Sequence, residues 1–505
     1  MRTSRAHAAW LMIVAGGCSA LVSPDPGRLG GGEDDGGPPV TLMDGGPPPG
    51  TDSGVPPGAD AGVPPGTDAS VPPGTDAGVP PGTDSGVPGA DAGTCVPNCS
   101  SGVLDACVGP SQRCSLGCAL DGSPRCAEMV PSNVEPSLWR ADARSLIVES
   151  AGGGGLSFDT TMCMARMVDS LIVRQFDTTE VCVLSVRDLT IRRGATLTVR
   201  GSRPLVVMAT GDVTIEEGGV LDVSARGAVP GPGGKPGGAR GAPDGHGEHG
   251  GGGGTRGRAP RLDDGGGGEK AAAGAGQAAP AARRRGGAGG RALTSAEVNF
   301  LMPLHTGGGG GMGPGGGSAS DPVGNAGLGG GAGGALQISA QGTVRLAGVI
   351  LAGGGGGGPG RSVVQQWGAG GGGGSGGSVL IEAPEIVVAD SGGVTTSGGG
   401  GGGSASDSGT AEAGQNGGET FERANGGRRA GSNFGADGGR SGGGGTLAGE
   451  GGGSNNRTGA NGGGGGGGVG CVVYRNADGT EPAGARDGTS GSVDGAIYFA
   501  PVMVR

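Results

Sequence analysis

The sequence predicts an all-β chain whose C-terminal two-thirds form a right-handed parallel β-helix (β-solenoid) with long glycine-rich loops. Apolar residues alternate with period 2, the alternation recurs in copies of about 22–24 residues, and glycine tracts separate later copies. The four copies are Val181/Val183/Ser185/Leu189/Ile191, Leu205/Val207/Ala209/Val213/Ile215, Leu336/Ile338/Ala340/Val344/Leu346 and Val379/Ile381/Ala383/Val387/Ala389. A repeat that cannot bury its own apolar face must stack on its neighbours. The third residue of each copy is small and is predicted to stack inside successive coils.

Composition limits both the core and the partners. The 505 residues include 132 glycines and 35 prolines, without the Gly-X-Y period of collagen. The formal net charge is −11, and no lysine or arginine lies between Arg28 and Arg113. The one dense basic run, 283–285, has no interleaved aromatic residues. Because phosphate binding needs clustered cations, we expect no nucleic-acid partner.

Residues 1–17 have the features of a cleaved signal peptide. A basic start precedes an apolar run over 8–14, which is too short to cross a bilayer as a mature helix. Small residues at 15–17 precede Cys18, and this pattern resembles the lipobox of bacterial lipoproteins. The resemblance implies a lipid on Cys18 and, because Ser19 follows, an anchor in the outer membrane. The alternative is an ordinary signal peptide followed by a chance cysteine.

Residues 18–94 are predicted to form a lipidated cysteine and a disordered tether rich in proline, glycine and aspartate. Between 55 and 92 the chain repeats VPPG(T/A)D(A/S)(G/S) with a period of eight residues. Proline favours extended polyproline II, glycine loosens it, and the spaced aspartates repel one another. A functional spacer and plain disorder predict the same physical behaviour here.

Residues 95–126 are predicted to form a small disulfide-rich module. The spacing C-x3-C-x7-C occurs twice, through Cys95, Cys99, Cys107, Cys114, Cys118 and Cys126. After export, these thiols would meet an oxidising compartment, and so short a piece needs covalent staples. A zinc knuckle is the competing interpretation, although the module has no histidine. Six cysteines allow 15 pairings, so the connectivity stays open.

Residues 145–505 are predicted to form the β-solenoid, with insertions at 227–334, 353–377 and 398–470. All three insertions leave after the third strand of a copy, so we expect them to form a common glycine-rich crest. The tracts are either disordered or packed through their backbones. If the FDTT segments form neighbouring coils, Cys163 and Cys182 stack and can form a disulfide. Cys471 has no partner in this scheme.

The sequence offers no convincing catalytic or metal site, and no cofactor is implied. The segment DGHGEHG contains Asp244, His246, Glu248 and His249, but a glycine loop supplies nothing to fix metal geometry. A polysaccharide-cleaving β-helix would need two carboxylates at a fixed separation. Its candidates are Asp188, Asp212, Glu216, Glu217, Asp222, Glu382 and Glu385. Most are expected at corners or on outward strand positions, so we expect a protein that is not an enzyme.

Several segments together resemble one group of proteins. AGGC, the proline-rich repeat, GSRPLVVMATGDVTIEEGGVLDVSARG (201–227), GGALQISAQGTVRLAGVILAGGGGG (333–357) and GGSVLIEAPEIVV (376–388) look like glycine-rich bacterial surface lipoproteins with no assigned activity. PE-PGRS proteins are similar only in the glycine tracts. The resemblance implies a β-helical cell-envelope protein. We expect a structural or adhesive role at the cell surface, with extracellular polysaccharide, matrix or other surface proteins as partners.

Overall fold

The chain divides into two units, Met1–Thr94 and Cys95–Arg505. The computed structural model describes part of the second unit. The described residues are 97–105, 110–119, 123–150, 155–165, 168–238, 301–304, 325–363, 366–405, 409–418, 421–431, 435–443, 446–453, 462–485, 493–494 and 496–505. The signal peptide, Cys18, the tether, Cys95, Cys107 and the DGHGEHG segment lie outside them. Arg283, Arg284 and Arg285 do as well.

Three sheets hold most of the strands. The first sheet has the spatial order β27 (Ala496–Pro501), β25 (Cys471–Asn476), β21 (Ser378–Glu382), β16 (Ala335–Ala340), β13 (Leu205–Ala209), β10 (Glu180–Val186) and β9 (Asp169–Arg174). The second has the order β22 (Glu385–Val388), β17 (Thr343–Leu346), β14 (Val213–Ile215), β11 (Leu189–Ile191) and β7 (Leu146–Val148). The third has the order β26 (Val493–Asp494), β23 (Gly393–Thr395), β18 (Val349–Leu351), β15 (Val220–Asp222), β12 (Thr196–Arg200) and β8 (Leu156–Asp159).

The other strands form small sheets. They are β1 (Asn98–Ser100) with β2 (Val103–Asp105) and β3 (Gln112–Arg113), β4 (Cys118–Ala119) with β5 (Arg125–Cys126), β6 (Met129–Val130) with β28 (Met503–Val504), and β19 (Arg361–Val363) with β20 (Gln366–Trp367) and β24 (Gly409–Thr410). Across the described residues, helical geometry is limited to a 3-10 turn at Pro136–Leu138 and to Leu301, and no helix there is long and apolar enough to span a membrane.

The chain passes through the three sheets in turn. Strands β10, β11 and β12 enter the first, second and third sheets, and the next three strands, β13 to β15, repeat that order. Strands from successive passages pair in parallel, with Ala209 opposite Ala340. The edge strand β9 is antiparallel to β10. The prediction of an all-β chain with mainly parallel strands is therefore confirmed.

One continuous apolar cluster lies between the three sheets. Because side chains alternate across a strand, every second residue of strands such as β13 and β16 enters this cluster. Leu205, Val207 and Ala209 all enter it, and each is fully buried. Gly194 and Gly218 have positive φ angles, 71° and 73°, at the turns between the second and third sheets. Glycine adopts this left-handed backbone without steric cost.

The predicted register was wrong by one residue in two copies. In the first copy, Val186 rather than Ser185 lies opposite Ala209, and Ser185 faces the other side of the sheet. In the fourth copy, Ile386 and Val388, not Val387 and Ala389, join the apolar cluster. The cause is the turn between the first and second sheets, which is one residue shorter in these two copies.

The outer face of the first sheet is covered as well. The segment 129–139, which we name the strap, crosses this face, and residues 301–304 lie beside it. A second apolar cluster forms there, joining Val134 of the strap with Val183 and Met208 of the sheet. Because both faces are buried, strands β10 and β13 are nearly continuous apolar runs, whereas β16 and β21 carry polar residues on the face beneath the strap.

The strap starts where the segment after the cysteine module meets residues 503–505. Strand β6 pairs antiparallel with β28, and the backbones of Glu128 and Arg505 exchange two hydrogen bonds of 3.1 and 3.0 Å. Their side chains also form an ion pair at 2.8 Å. The last residues of the chain are thus fixed to the segment that follows the cysteine module.

Candidate functional site

The glycine insertions leave the third sheet and return to the first. They follow β15, β18 and β23, and they lead into β16, β21 and β25. The three connections therefore start from neighbouring strands of one sheet and end on neighbouring strands of another. This places them side by side.

The tracts are hydrogen bonded to one another with a period of three residues. The N–H groups of Gly370, Gly373 and Gly376 donate to the carbonyls of Gly462, Gly465 and Gly468 at 3.3, 2.8 and 3.0 Å. Those of Gly371, Gly374 and Gly377 donate to Gly358, Gly355 and Ala352 at 3.0, 2.8 and 2.7 Å. Three residues per turn is the period of a polyproline II-type helix, which has no internal hydrogen bonds. Each tract can therefore bond to several neighbours, and we name the assembly the glycine lattice.

The close approach of the tracts requires glycine. A Cβ atom added at Gly402 would overlap the carbonyl of Gly358, and one at Gly371 would overlap the carbonyl of Leu328. These obstacles are backbone atoms, which cannot rotate away. Most residues of the inner tracts, including 369–377 and 398–404, are buried. Of the two interpretations of the tracts, the structure shows the packed one for the described residues.

The outer tracts carry side chains at every third residue. Exposed residues with this spacing are Glu412 and Gln415, then Glu422, Asn425 and Arg428, then Asp437 and Arg440, then Leu447 and Glu450. Three residues of a polyproline II-type helix span about 9 Å, so the side chains stand in a regular array. We name these nine residues the lattice face.

Opposite charges stand on neighbouring tracts of the lattice face. The N–H of Glu412 donates to the carbonyl of Arg428, and that of Glu450 donates to the carbonyl of Arg440, at 2.9 and 2.8 Å. Each of these backbone bonds places an acidic residue beside a basic one. The face is therefore polar and of mixed charge, which suits a hydrated partner better than an apolar one.

Three of the candidate carboxylates line the junction between the first and second sheets. Asp188 accepts from the N–H of Asp212 at 3.1 Å, and Asp212 accepts from the N–H of Thr343 at 2.7 Å. The Thr343 hydroxyl donates to Glu385 at 3.1 Å. Each carboxylate thus ties one passage of the chain to the next.

Three others form ion pairs in or beside the third sheet. Glu216 and Glu217 bind Arg192 and Arg193 at 2.7 and 2.6 Å. Asp222, buried in β15, binds Arg200 at 2.9 Å and Arg226 at 3.1 Å.

The pKa of Asp222 reflects these contacts. Burial by itself would raise this pKa. The N–H of Ser224 and the two guanidinium groups outweigh that effect, so the pKa is lowered from its ordinary value of 3.8. Asp222 is therefore held in its charged form.

Glu382 lies beneath the strap, on the outer face of β21. It accepts hydrogen bonds from the N–H and hydroxyl of Ser132, from Gln337 at 3.0 Å and from Ser339 at 2.9 Å. Arg475, in the aligned position of β25, lies 3.7 Å from it. Glu382 is only 1% exposed, so a substrate cannot reach it. Its contacts fasten the strap to the sheet.

The structure brings together six of the cysteines singled out in the sequence. Disulfides join Cys99 to Cys118, Cys114 to Cys126 and Cys163 to Cys182, with Cα–Cα distances of 6.1, 5.1 and 5.6 Å. Cys471 is a free thiol, and burial raises its pKa to about 12. That thiol is therefore protonated and unreactive at neutral pH.

Sequence reasoning missed the strap and its buried charge pair. A signal was present, because Glu382 and Arg475 are charged residues in otherwise apolar strands, VLIE and CVVYR. When the two strands are aligned, opposite charges occupy the same position. A buried charge needs a partner, and this alignment supplies one.

No protein-family model, curated protein or solved structure that was compared with the chain matches it.

Proposed function

We propose that the chain is a non-enzymatic lipoprotein of the cell envelope, exported and anchored to the outer membrane through Cys18. Its role is structural or adhesive, at the cell surface. The observation that carries this proposal is the lattice face. Side chains of mixed charge repeat on a scaffold whose spacing is fixed by backbone hydrogen bonds, and many weak contacts in register give avidity.

The finer description of the fold belongs to the same proposal. We infer a right-handed parallel β-helix with the glycine lattice as its crest. Support comes from the order in which the chain enters the three sheets and from the parallel register of successive strands. Such a ladder would hold the lattice face at a constant angle to the strands.

The partner would be extracellular polysaccharide, matrix or another surface protein. The mixed charge of the lattice face favours a hydrated polymer that offers hydroxyl and charged groups along its length. A polysaccharide-cleaving role is the weaker candidate. Cleavage needs two carboxylates facing one substrate, whereas each candidate carboxylate is committed to its own structural contact.

Location is tested by shaving intact cells with protease. Antibodies against residues 471–505 and against an inner-face marker would follow the two compartments. We expect the first signal to disappear while the marker survives. In a Cys18→Ala variant, labelled fatty acid should no longer be incorporated. Protection of residues 471–505 would place this unit inside the envelope and contradict surface adhesion.

The adhesive role is tested with charge-neutral variants. One replaces four residues of the lattice face by serine: Glu412, Arg428, Arg440 and Glu450. The control replaces Arg192, Arg193, Glu216 and Glu217, which also removes two acids and two bases. We expect only the first variant to lose binding to isolated extracellular matrix. Equal binding by both variants would contradict the proposal.

A further inference from the structure

Three sulfur atoms of the cysteine module lie close together, and a fourth is bonded to one of them. The Sγ atoms of Cys99, Cys114 and Cys118 all lie within 4.8 Å of one another, and Cys126 is bonded to Cys114. Strands β4 and β5 place Cys118 directly opposite Cys126. The two disulfides are therefore side by side.

Reduction of both disulfides would leave four thiols near one another, as a tetrathiolate metal site requires. Zinc bound by four thiolates has Zn–S distances of about 2.3 Å, which places the sulfur atoms about 3.8 Å apart. The spacing Cys114-x3-Cys118 lies within the range typical of zinc ligands. A turn closed by the N–H of Gly117, 3.1 Å from the carbonyl of Cys114, brings these two cysteines together.

We propose that the reduced module binds one Zn²⁺ through the thiolates of Cys99, Cys114, Cys118 and Cys126. A dithiol reductant supplies two electrons and two protons to each disulfide, giving four thiols. Zinc then displaces four protons and leaves a complex of charge −2. The same four sulfurs thus hold either two disulfides or one zinc ion.

The surroundings allow both states. Cys114 is buried, whereas Cys99, Cys118 and Cys126 are half-buried, so a reductant and a metal ion can reach the sulfurs. The module would therefore report the redox state of its compartment, independently of any role for the lattice face.

The test uses the full chain, reduced with a phosphine and titrated with Co²⁺ without oxygen. Tetrahedral thiolate coordination gives Co²⁺ an intense visible absorption. We expect this band to saturate at one Co²⁺ per chain and to disappear when Zn²⁺ is added. An absent band would overturn the proposal.

Two further measurements identify the ligands. Cys114→Ser should abolish the band, while the control Cys163→Ser/Cys182→Ser, which removes a disulfide elsewhere, should retain it. Alkylation of the wild-type zinc-loaded chain followed by peptide mapping needs no variant that might misfold. We expect Cys99, Cys114, Cys118 and Cys126 to be protected. Protection of a different set would overturn the assignment.

Discussion

Gly402 shows why the inner tracts consist of glycine. Its N–H donates to the carbonyl of Gly371, and its own carbonyl accepts from Gly464. The space where a Cβ would stand is taken by the Gly358 carbonyl. Serine is accepted where a hydroxyl finds a bond, as at Ser397, which accepts from the N–H of Gly418 at 2.7 Å. Residue identity in the tracts is set by the neighbouring backbone.

Gly402→Ala is expected to destabilise the chain by about 1–3 kcal/mol, the usual cost of overpacking a filled interior. The control is Gly453→Ala on an exposed tract, where the nearest atom to an added Cβ is 3.1 Å away. Denaturant unfolding of both variants measures the difference. Equal stability of the two would show that the inner tracts are not closely packed.

Asp222 is expected to make stability depend on acid pH. Because its folded-state pKa lies below 3.8, its contribution is present at neutral pH and is lost as the pH falls through the folded value. Asp222→Asn should therefore be less stable than the wild type at pH 7. Thermal unfolding between pH 7 and pH 2 should show that the difference in stability between the wild type and the variant decreases as the pH falls. A difference that stays constant would contradict this assignment.

Among the elements, the strands were predictable and their register was only partly so. Alternation predicted the inward-facing residues of β13 and β16 correctly, because the turns that follow these two strands have the same length. It failed for β10, where the run VCVLSV is apolar on both faces. A strand buried on both sides does not show from its own sequence which face meets which cluster.

The strap could not be derived from sequence, and the packing of the glycine tracts was only one of two alternatives that the sequence left open. Beyond β6 the strap has no periodicity, because it crosses the strands of the first sheet instead of pairing with them. Its contacts reach residues 250 positions away, from Ser132 to Glu382. The lattice depends on backbone bonds, which leave no side-chain pattern. Only the period-three spacing of polar residues such as Glu412 and Gln415 could have indicated it.

Glu382→Ala is expected to destabilise the chain by about 3–5 kcal/mol, because Arg475 would lose its buried counterion. Glu385→Ala, at an exposed position three residues later, should cost no more than about 0.5 kcal/mol. Denaturant unfolding compares them, and hydrogen exchange should show the strap released only in the first variant. Equal destabilisation by the two substitutions would show that Glu382 does not hold the strap through a buried network.

Over the whole unit, the lattice and the sheets depend on each other. The tract 352–360 continues β18 of the third sheet, and the tract 368–377 leads into β21 of the first. Because the two tracts are hydrogen bonded to each other, a displacement of either one would disturb both sheets. The lattice bonds are short, mostly 2.7–3.0 Å. We therefore expect the lattice and the sheets to unfold together.

Hydrogen exchange tests this cooperativity. The amides of Gly371, Gly374 and Gly377 should exchange as slowly as those of β21, since both need the same global opening. Strand β25 supplies an internal reference for full protection. Exchange of the three glycines at the rate of an unstructured peptide would mean that the lattice opens alone.

The three-residue period of the tracts also limits which insertions and deletions the gene of this chain can tolerate. Removing one glycine codon from a tract would turn every later N–H toward the wrong neighbour, whereas removing three in a row would shorten the tract and keep its bonds. Repetitive glycine codons gain and lose units readily during replication. Surviving length variants of this chain should therefore differ by multiples of three codons within the inner tracts.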